Sequence, residues 1–190
     1  MAQGGIEVEA KFSVSKKEFD TILFSVAKVG KEISSSEQID EYFNSPVEDY
    51  MEAKKPYKWL SLRKRSNKVI LNYKHFFPET AENFTHCEEF ETKVDDFEKF
   101  RKFLLEIGHK SLVVVNKSRR TFQINDDFEI AFDNISELGT FIEVEALKDF
   151  GGVDKTREKL FEFSKELGLG KTNIVNEGYP FLLMKQKGLL

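Results

Sequence analysis

The chain has 190 residues, 40% hydrophobic and 33% charged, and its 29 Lys and Arg against 33 Asp and Glu leave a formal net charge of −4. That length and apolar content suit one domain with a real core, expected to span 1–190, and the near balance of charge argues against a general nucleic-acid binder, which would carry a basic excess. The one cysteine, Cys87, excludes an intrachain disulfide, and no apolar run reaches the roughly 18 residues of a membrane span, so the chain reads as soluble and cytoplasmic.

The first element is a strand over 6–12. In GIEVEAKF, alternation puts Ile6, Val8, Ala10 and Phe12 on one face and Glu7, Glu9 and Lys11 on the other. Ser15 and Glu18 then open a helix in capping-box spacing, and Gly30 stops it. Strands are expected at 38–44, 59–65, 68–75 and 87–94, with proline-bearing loops at 45–58 and 76–86. A second helix follows, with Asp95 as N-cap and Gly108 at its end. Strands at 112–124, 127–133 and 140–147 precede a third helix from Asp154 to Gly168. Each helix has one apolar stripe and one charged face, so each packs on something from one side.

The face pattern of the first strand recurs. Arg63 and Arg65 align with Ser61, Asn72 with Lys74, and Cys87 with Glu89, Glu91 and Lys93. Lys117 aligns with Arg119, Glu129 with Ala131 and Asp133, and Glu143 with Glu145, each opposite apolar neighbours. For one strand this is a sheet with a wet face. For the set, amphipathic helices need an apolar surface and the greasy strand faces supply it. The expected fold is therefore α+β: a closed eight-stranded antiparallel β-barrel with a charged lumen, flanked by about three helices. An unpaired buried charge costs several kcal/mol, so such a lumen must bind partners of both signs. Clustered carboxylates suit a divalent cation and clustered Lys and Arg suit a polyphosphate, which together point to a metal-chelated triphosphate.

Glu7-Val8-Glu9-Ala10-Lys11 is an ExExK motif that resembles the signature of the CYTH superfamily, the triphosphate tunnel metalloenzymes. QIDEYFNSP, LSLRKR, LNYKH, EFE at 89–91, VNKSRRTF, FEIAFDNISELGTFIEVE and NEGYPFLL resemble further family segments in order, from residue 6 to about 183. The resemblance implies a tunnel that binds a triphosphate with Mg²⁺ or Mn²⁺. It assigns Glu7, Glu9, Glu143 and Glu145 to the metal, with Glu91 assisting. It assigns Lys11, Arg63, Arg65, Lys74, Lys117 and Arg119 to the phosphates, with Asp133 on the substrate side and Glu89 as a further member. Lys11, Lys74, Glu9 and Glu143 are the expected catalytic set.

YFNSPVEDY resembles the archaeal-type branch filed with class IV adenylyl cyclases, so the expected reaction turns ATP into cyclic AMP and pyrophosphate. The alternatives are hydrolysis of inorganic, thiamine or nucleoside triphosphate, and non-catalytic binding of a polyphosphate or nucleotide. A homodimer follows from family analogy alone. Two positions depart from the family pattern: His75 stands where Gly is common, and Cys87 where a basic residue is common, with Lys93 or Arg65 as substitutes.

Plainer readings stand beside these. Lys64, Arg101 and Arg120 read as solvated, Asp133 also as a turn residue, Cys87 as a small filler and Tyr179 as packing. His75, His86 and His109 lack zinc spacing. LGLGKT is no phosphate loop, since Lys165 stands where its first Gly belongs and Gly168 reads as a helix stop.

Overall fold

In the computed structural model, residues 6–80 and 83–190 are described. The strands are β1 (Ile6–Glu7), β2 (Glu9–Val14), β3 (Lys31–Asn44), β4 (Lys58–Arg65), β5 (Lys68–Phe77), β6 (His86–Val94), β7 (Lys110–Ile124), β8 (Phe128–Ile135), β9 (Gly139–Ala146) and β10 (Ile174–Val175). The helices are α1 (Lys16–Val29), α2 (Phe97–Glu106), α3 (Val153–Glu166) and α4 (Tyr179–Gln186). All strands join one antiparallel sheet in the order β1-β6-β5-β4-β3-β7-β8-β9-β2-β10.

This corrects the expected closed eight-stranded barrel. Ten strands are present among the described residues, and the order runs between two ends as an open half-barrel. The reason lies at the N-terminal segment. β1 meets β6 only at Ile6 and Glu7, the segment breaks at Val8, and β2 pairs with β9. β10 then takes the other edge of β2, at Lys11 and Phe12, so β6 cannot continue along it.

Local rules set the helix ends. Ser15 caps α1 as expected: its Oγ accepts from Glu18 N at 3.3 Å, and Glu18 Oε2 accepts from Ser15 N at 2.8 Å. Gly108 and Gly168 follow α2 and α3 at φ +96° and +85°, a left-handed turn that costs glycine nothing. The α2 cap is Asp96, not Asp95; its carboxylate accepts from Lys99 N at 3.0 Å. α3 starts one residue earlier than expected, after Gly152.

Three apolar clusters hold these elements. Phe12, Phe122, Ile130, Phe132, Ile142 and Val144 form the outer face on which α1 and α3 lie. Phe43, Leu62 and Leu104 join α2 to the sheet. The third cluster breaks the expected pattern: Val115, Ile135 and Phe141 share strand faces with Lys117, Asp133 and Glu143, yet pack with Tyr179 and Leu183 of α4. One end of the concave face is therefore apolar and plugged by a helix absent from the expected set of three. The outer face also has a bare patch, for Phe90 on β6 is 60% exposed.

Candidate active site

The concave face encloses a cavity of about 500 Å³, within the usual range for small-molecule sites. Lys11, Arg63, Arg65, Lys74, Lys117 and Arg119 line it, together with Glu7, Glu9, Glu91, Glu143 and Glu145. With Glu89, which also lines it, twelve of the thirteen sequence-predicted site residues thus meet in one space, as period-two alternation requires of strands that share a face. The thirteenth, Asp133, is fully buried behind Arg119 and does not reach the cavity.

Strand register sorts the charges. Glu9, Glu145 and Glu129 stand abreast on β2, β9 and β8. Like charges placed opposite each other destabilise a sheet, so this acidic rung needs a reason to exist. One rung along, Lys11 faces Glu143, with Nζ to Oε1 at 3.3 Å. Beyond it Arg119 opposes Asp133, which accepts from Arg119 Nε at 2.6 Å, and a second nitrogen of Arg119 bridges Asp133 and Glu143. Tyr179 donates to Asp133 at 2.8 Å, and Lys11 Nζ lies 4.2 Å from its ring centroid. Lys117 Nζ is 3.2 Å from the fully buried Asp40. On the facing strands, Lys74 Nζ is 2.6 Å from Glu7, 3.7 Å from Glu9 and 3.5 Å from Glu89. Arg63 reaches Glu89 at 3.5 Å and Glu91 at 3.3 Å. Arg65 Nε is buried with no hydrogen-bond partner among the described residues.

The electrostatics follow this sorting. Burial pushes the Glu145 carboxyl up to about 7, with Glu9, Glu129 and Glu89 adding to the rise against Lys74. Burial also raises Glu7, despite Lys74, while for Glu89 the cations Lys74 and Arg63 outweigh burial and lower it. Burial acts on Glu143 too, but Arg119, Lys11 and Lys117 overcome it and hold that carboxyl well below the usual range. Lys117 is lowered, by burial and then by its neighbour Arg119. Glu7 and Glu145 thus resist ionisation and Lys117 and Arg65 resist protonation, whereas the paired groups Glu143, Glu89, Lys74 and Arg119 are held in their charged forms.

Among the described residues no three His, Cys, Asp or Glu side chains are gathered ready to hold a metal ion. The glutamates are drawn instead to Lys74, Arg63 and Arg119. The donor chemistry still fits a divalent cation: Glu7, Glu9 and Glu145 are hard oxygen donors lining one cavity, and a cation would offset the burial and the neighbouring carboxylates that raise Glu145.

Both departures from the family pattern are resolved by position. His75 faces outward, stacked on Tyr57 at 5.9 Å and bonded to Glu79 at 2.6 Å, so it does not touch the cavity. Cys87 is buried with Sγ 3.5 Å from Glu7, and Lys74 supplies the positive charge there; Lys93 is exposed. Arg101 and Arg120, expected as simply solvated, bind Glu41 at 2.7 Å and Glu32 at 2.9 Å. Glu129 and Asn72 line the cavity, and Asp40 lies against Lys117, without belonging to the sequence-predicted site set. The alternation that places Asp133 also places Glu129, and QIDEYF contains Asp40, but Asp40 is marked only by its long-range partners Lys117 and Arg63.

Comparison with known proteins supplies the family. The CYTH domain model matches residues 5–179. The Methanocaldococcus jannaschii protein named "Putative adenylate cyclase MJ0240" is 30% identical over 176 residues, which cover 92% of this chain and 96% of that one. The PH1819 protein of Pyrococcus horikoshii has the same fold, with a TM-score of 0.78 and 26% identity over 95% of this chain and 99% of that one. So has the Hippeastrum protein HpAC1, described with a dominant triphosphatase activity, at a TM-score of 0.63 and 17% identity over 96% of this chain and 95% of that one. Among the described residues no helix is long and apolar enough to cross a membrane. The chain belongs to the CYTH domain family.

Proposed function

We propose that this protein is a metal-dependent enzyme that binds a triphosphate in the cavity and acts on it as a class IV adenylyl cyclase does, releasing cyclic AMP and pyrophosphate from ATP. The observation that carries the reading is the acidic rung of Glu9, Glu145 and Glu129 set beside Lys11, Lys117 and Arg119. A pure anion binder has no use for such a rung. The name of the Methanocaldococcus jannaschii relative supports the cyclase reading.

A Mg²⁺ or Mn²⁺ ion held by Glu7, Glu9 and Glu145 would neutralise charge on the phosphate oxygens. Glu143 and Glu91, expected alongside them, are tied to Arg119 and Arg63, and become available when those guanidiniums turn to phosphate. Lys11, Arg63, Arg65, Lys74, Lys117 and Arg119 hold the phosphate chain. Phosphoryl chemistry of this kind asks for alignment and neutralisation and needs no protein nucleophile. The 3′ hydroxyl oxygen attacks the α-phosphorus, the bond to the bridging oxygen breaks and pyrophosphate leaves. The hydroxyl proton passes to a carboxylate of the acidic rung.

Hydrolysis is the second reading, favoured by a cavity of about 500 Å³ that admits water beside the phosphates. The test is a panel of ATP, thiamine triphosphate and tripolyphosphate, each with Mg²⁺ or Mn²⁺. Cyclic AMP with pyrophosphate supports the first reading, orthophosphate supports the second, and no turnover of any substrate overturns both. Glu9→Ala is expected to lower metal-dependent turnover at least about 10-fold; full turnover in that variant removes Glu9 from the metal set.

A further inference from the structure

The cavity has a side branch. Glu9, Lys11, Trp59, Phe76 and Gly178 line both the main space and a notch of about 80 Å³ beside it. The notch opens between the segment that leads into β6 and the segment between β10 and α4. Sheet pairing is interrupted at this place, because β6 leaves the N-terminal segment at Glu7 and β10 joins it at Lys11.

Three half-buried phenylalanines, Phe76, Phe84 and Phe181, converge there beside Trp59. Phe84 belongs to none of the three buried clusters. Its ring lies 5.3 Å from that of Phe76, tilted by 31°, and Lys55 Nζ stands 4.3 Å from its centroid. The backbone beneath is pinned from another element: Arg157 of α3 donates to the carbonyls of Phe84 and Thr85, each at 3.2 Å. The opposite wall is tied to the main cavity, because Lys11 Nζ donates to Glu177 O at 3.4 Å. A phenylalanine held out of the core, on a loop fixed by a distant arginine, forms a preorganised aromatic surface.

We infer that this notch seats a flat aromatic ring carried by the substrate, so that a ring-bearing triphosphate ester binds more tightly than inorganic tripolyphosphate. The inference rests on the reading that the main cavity holds the phosphates. The notch is too small to enclose a bicyclic base. It takes one face or edge of a ring by stacking, which tolerates different rings because each presents a π-face. Arg157 is a positioning residue for that surface.

The test compares ATP, thiamine triphosphate and tripolyphosphate with Mg²⁺, followed in stopped flow before turnover accumulates. Trp59, the one tryptophan of the chain and part of the shared wall, reports binding by its fluorescence. At least one ring-bearing ligand is expected to bind about 5-fold or more tightly than tripolyphosphate. That advantage should collapse in Phe84→Ala and shrink in Arg157→Met, with tripolyphosphate affinity unchanged in both. Equal wild-type affinity for all three ligands overturns the ring site and leaves the phosphate reading standing. No binding of any ligand overturns both. If Phe84→Ala also loses tripolyphosphate, Arg157→Met decides, and a ring advantage undiminished there overturns the inference.

Discussion

Glu145 shows how one side chain records the state of the whole cavity. Burial, then Glu9, lifts its carboxyl from 4.5 to about 7. A raised value means that the folded state binds the proton more tightly than the unfolded chain. The associated stability is complete below about 4.5 and is lost as pH rises through about 7. In metal-free protein, Glu145→Gln is therefore expected to gain stability relative to the wild type between pH 4.5 and 8, by up to about 3 kcal/mol. Urea unfolding at both pH values reads it, and an unchanged difference between variant and wild type refutes it. At this scale the facing direction of Glu7, Glu9, Lys11, Glu143 and Glu145 is legible because alternation is a property of the backbone. The partners of Asp133 are not, since Arg119 and Tyr179 reach it from separate parts of the chain.

Among the elements, α4 is the one that local pattern conceals. NEGYPFLL reads as a closing segment, and its helix of eight residues is too short to display a periodic stripe. Pro180 in the first turn is compatible with a helix start, where its missing N–H costs nothing. What makes the helix stable is the apolar end of the concave face, where Leu183 is 1% exposed and packs in the cluster with Tyr42, Val113 and Val115. Leu183→Ala is expected to cost about 2–5 kcal/mol in urea unfolding; a loss below about 1 kcal/mol would mean that α4 contributes little as a plug. The contrast with α1 is instructive. Its capping box lies within four consecutive residues, Ser15 to Glu18, so the start of that helix is readable from the sequence alone.

For the molecule as a whole, the ligand-free cavity pairs its own charges across the sheet, Lys74 with Glu7 and Arg119 with Glu143. A polyphosphate and a divalent cation compete for opposite members of those pairs, so each frees a site for the other. Tripolyphosphate and Mg²⁺ together are expected to stabilise the protein more than the sum of either alone. Saturation at 100 times the dissociation constant is worth about 2.7 kcal/mol, roughly 5–10 °C for a chain of this size. Thermal melts with each component and with both check this, and a merely additive shift counts against coupled sites. Both faces of β2 and of β4 to β9, the caps of α1 and the membership of the CYTH family were determined by the sequence itself, while the faces of β3 were not. These depend on residue spacing along a few neighbouring positions. Only the tertiary structure decided that the sheet stays open, that α4 fills one end and that acids and bases pair across strands, Lys74 with Glu7 and Arg119 with Glu143. Those outcomes depend on which strand edges find each other: β10 occupies the edge of β2 that closure would require, and no local spacing encodes that competition.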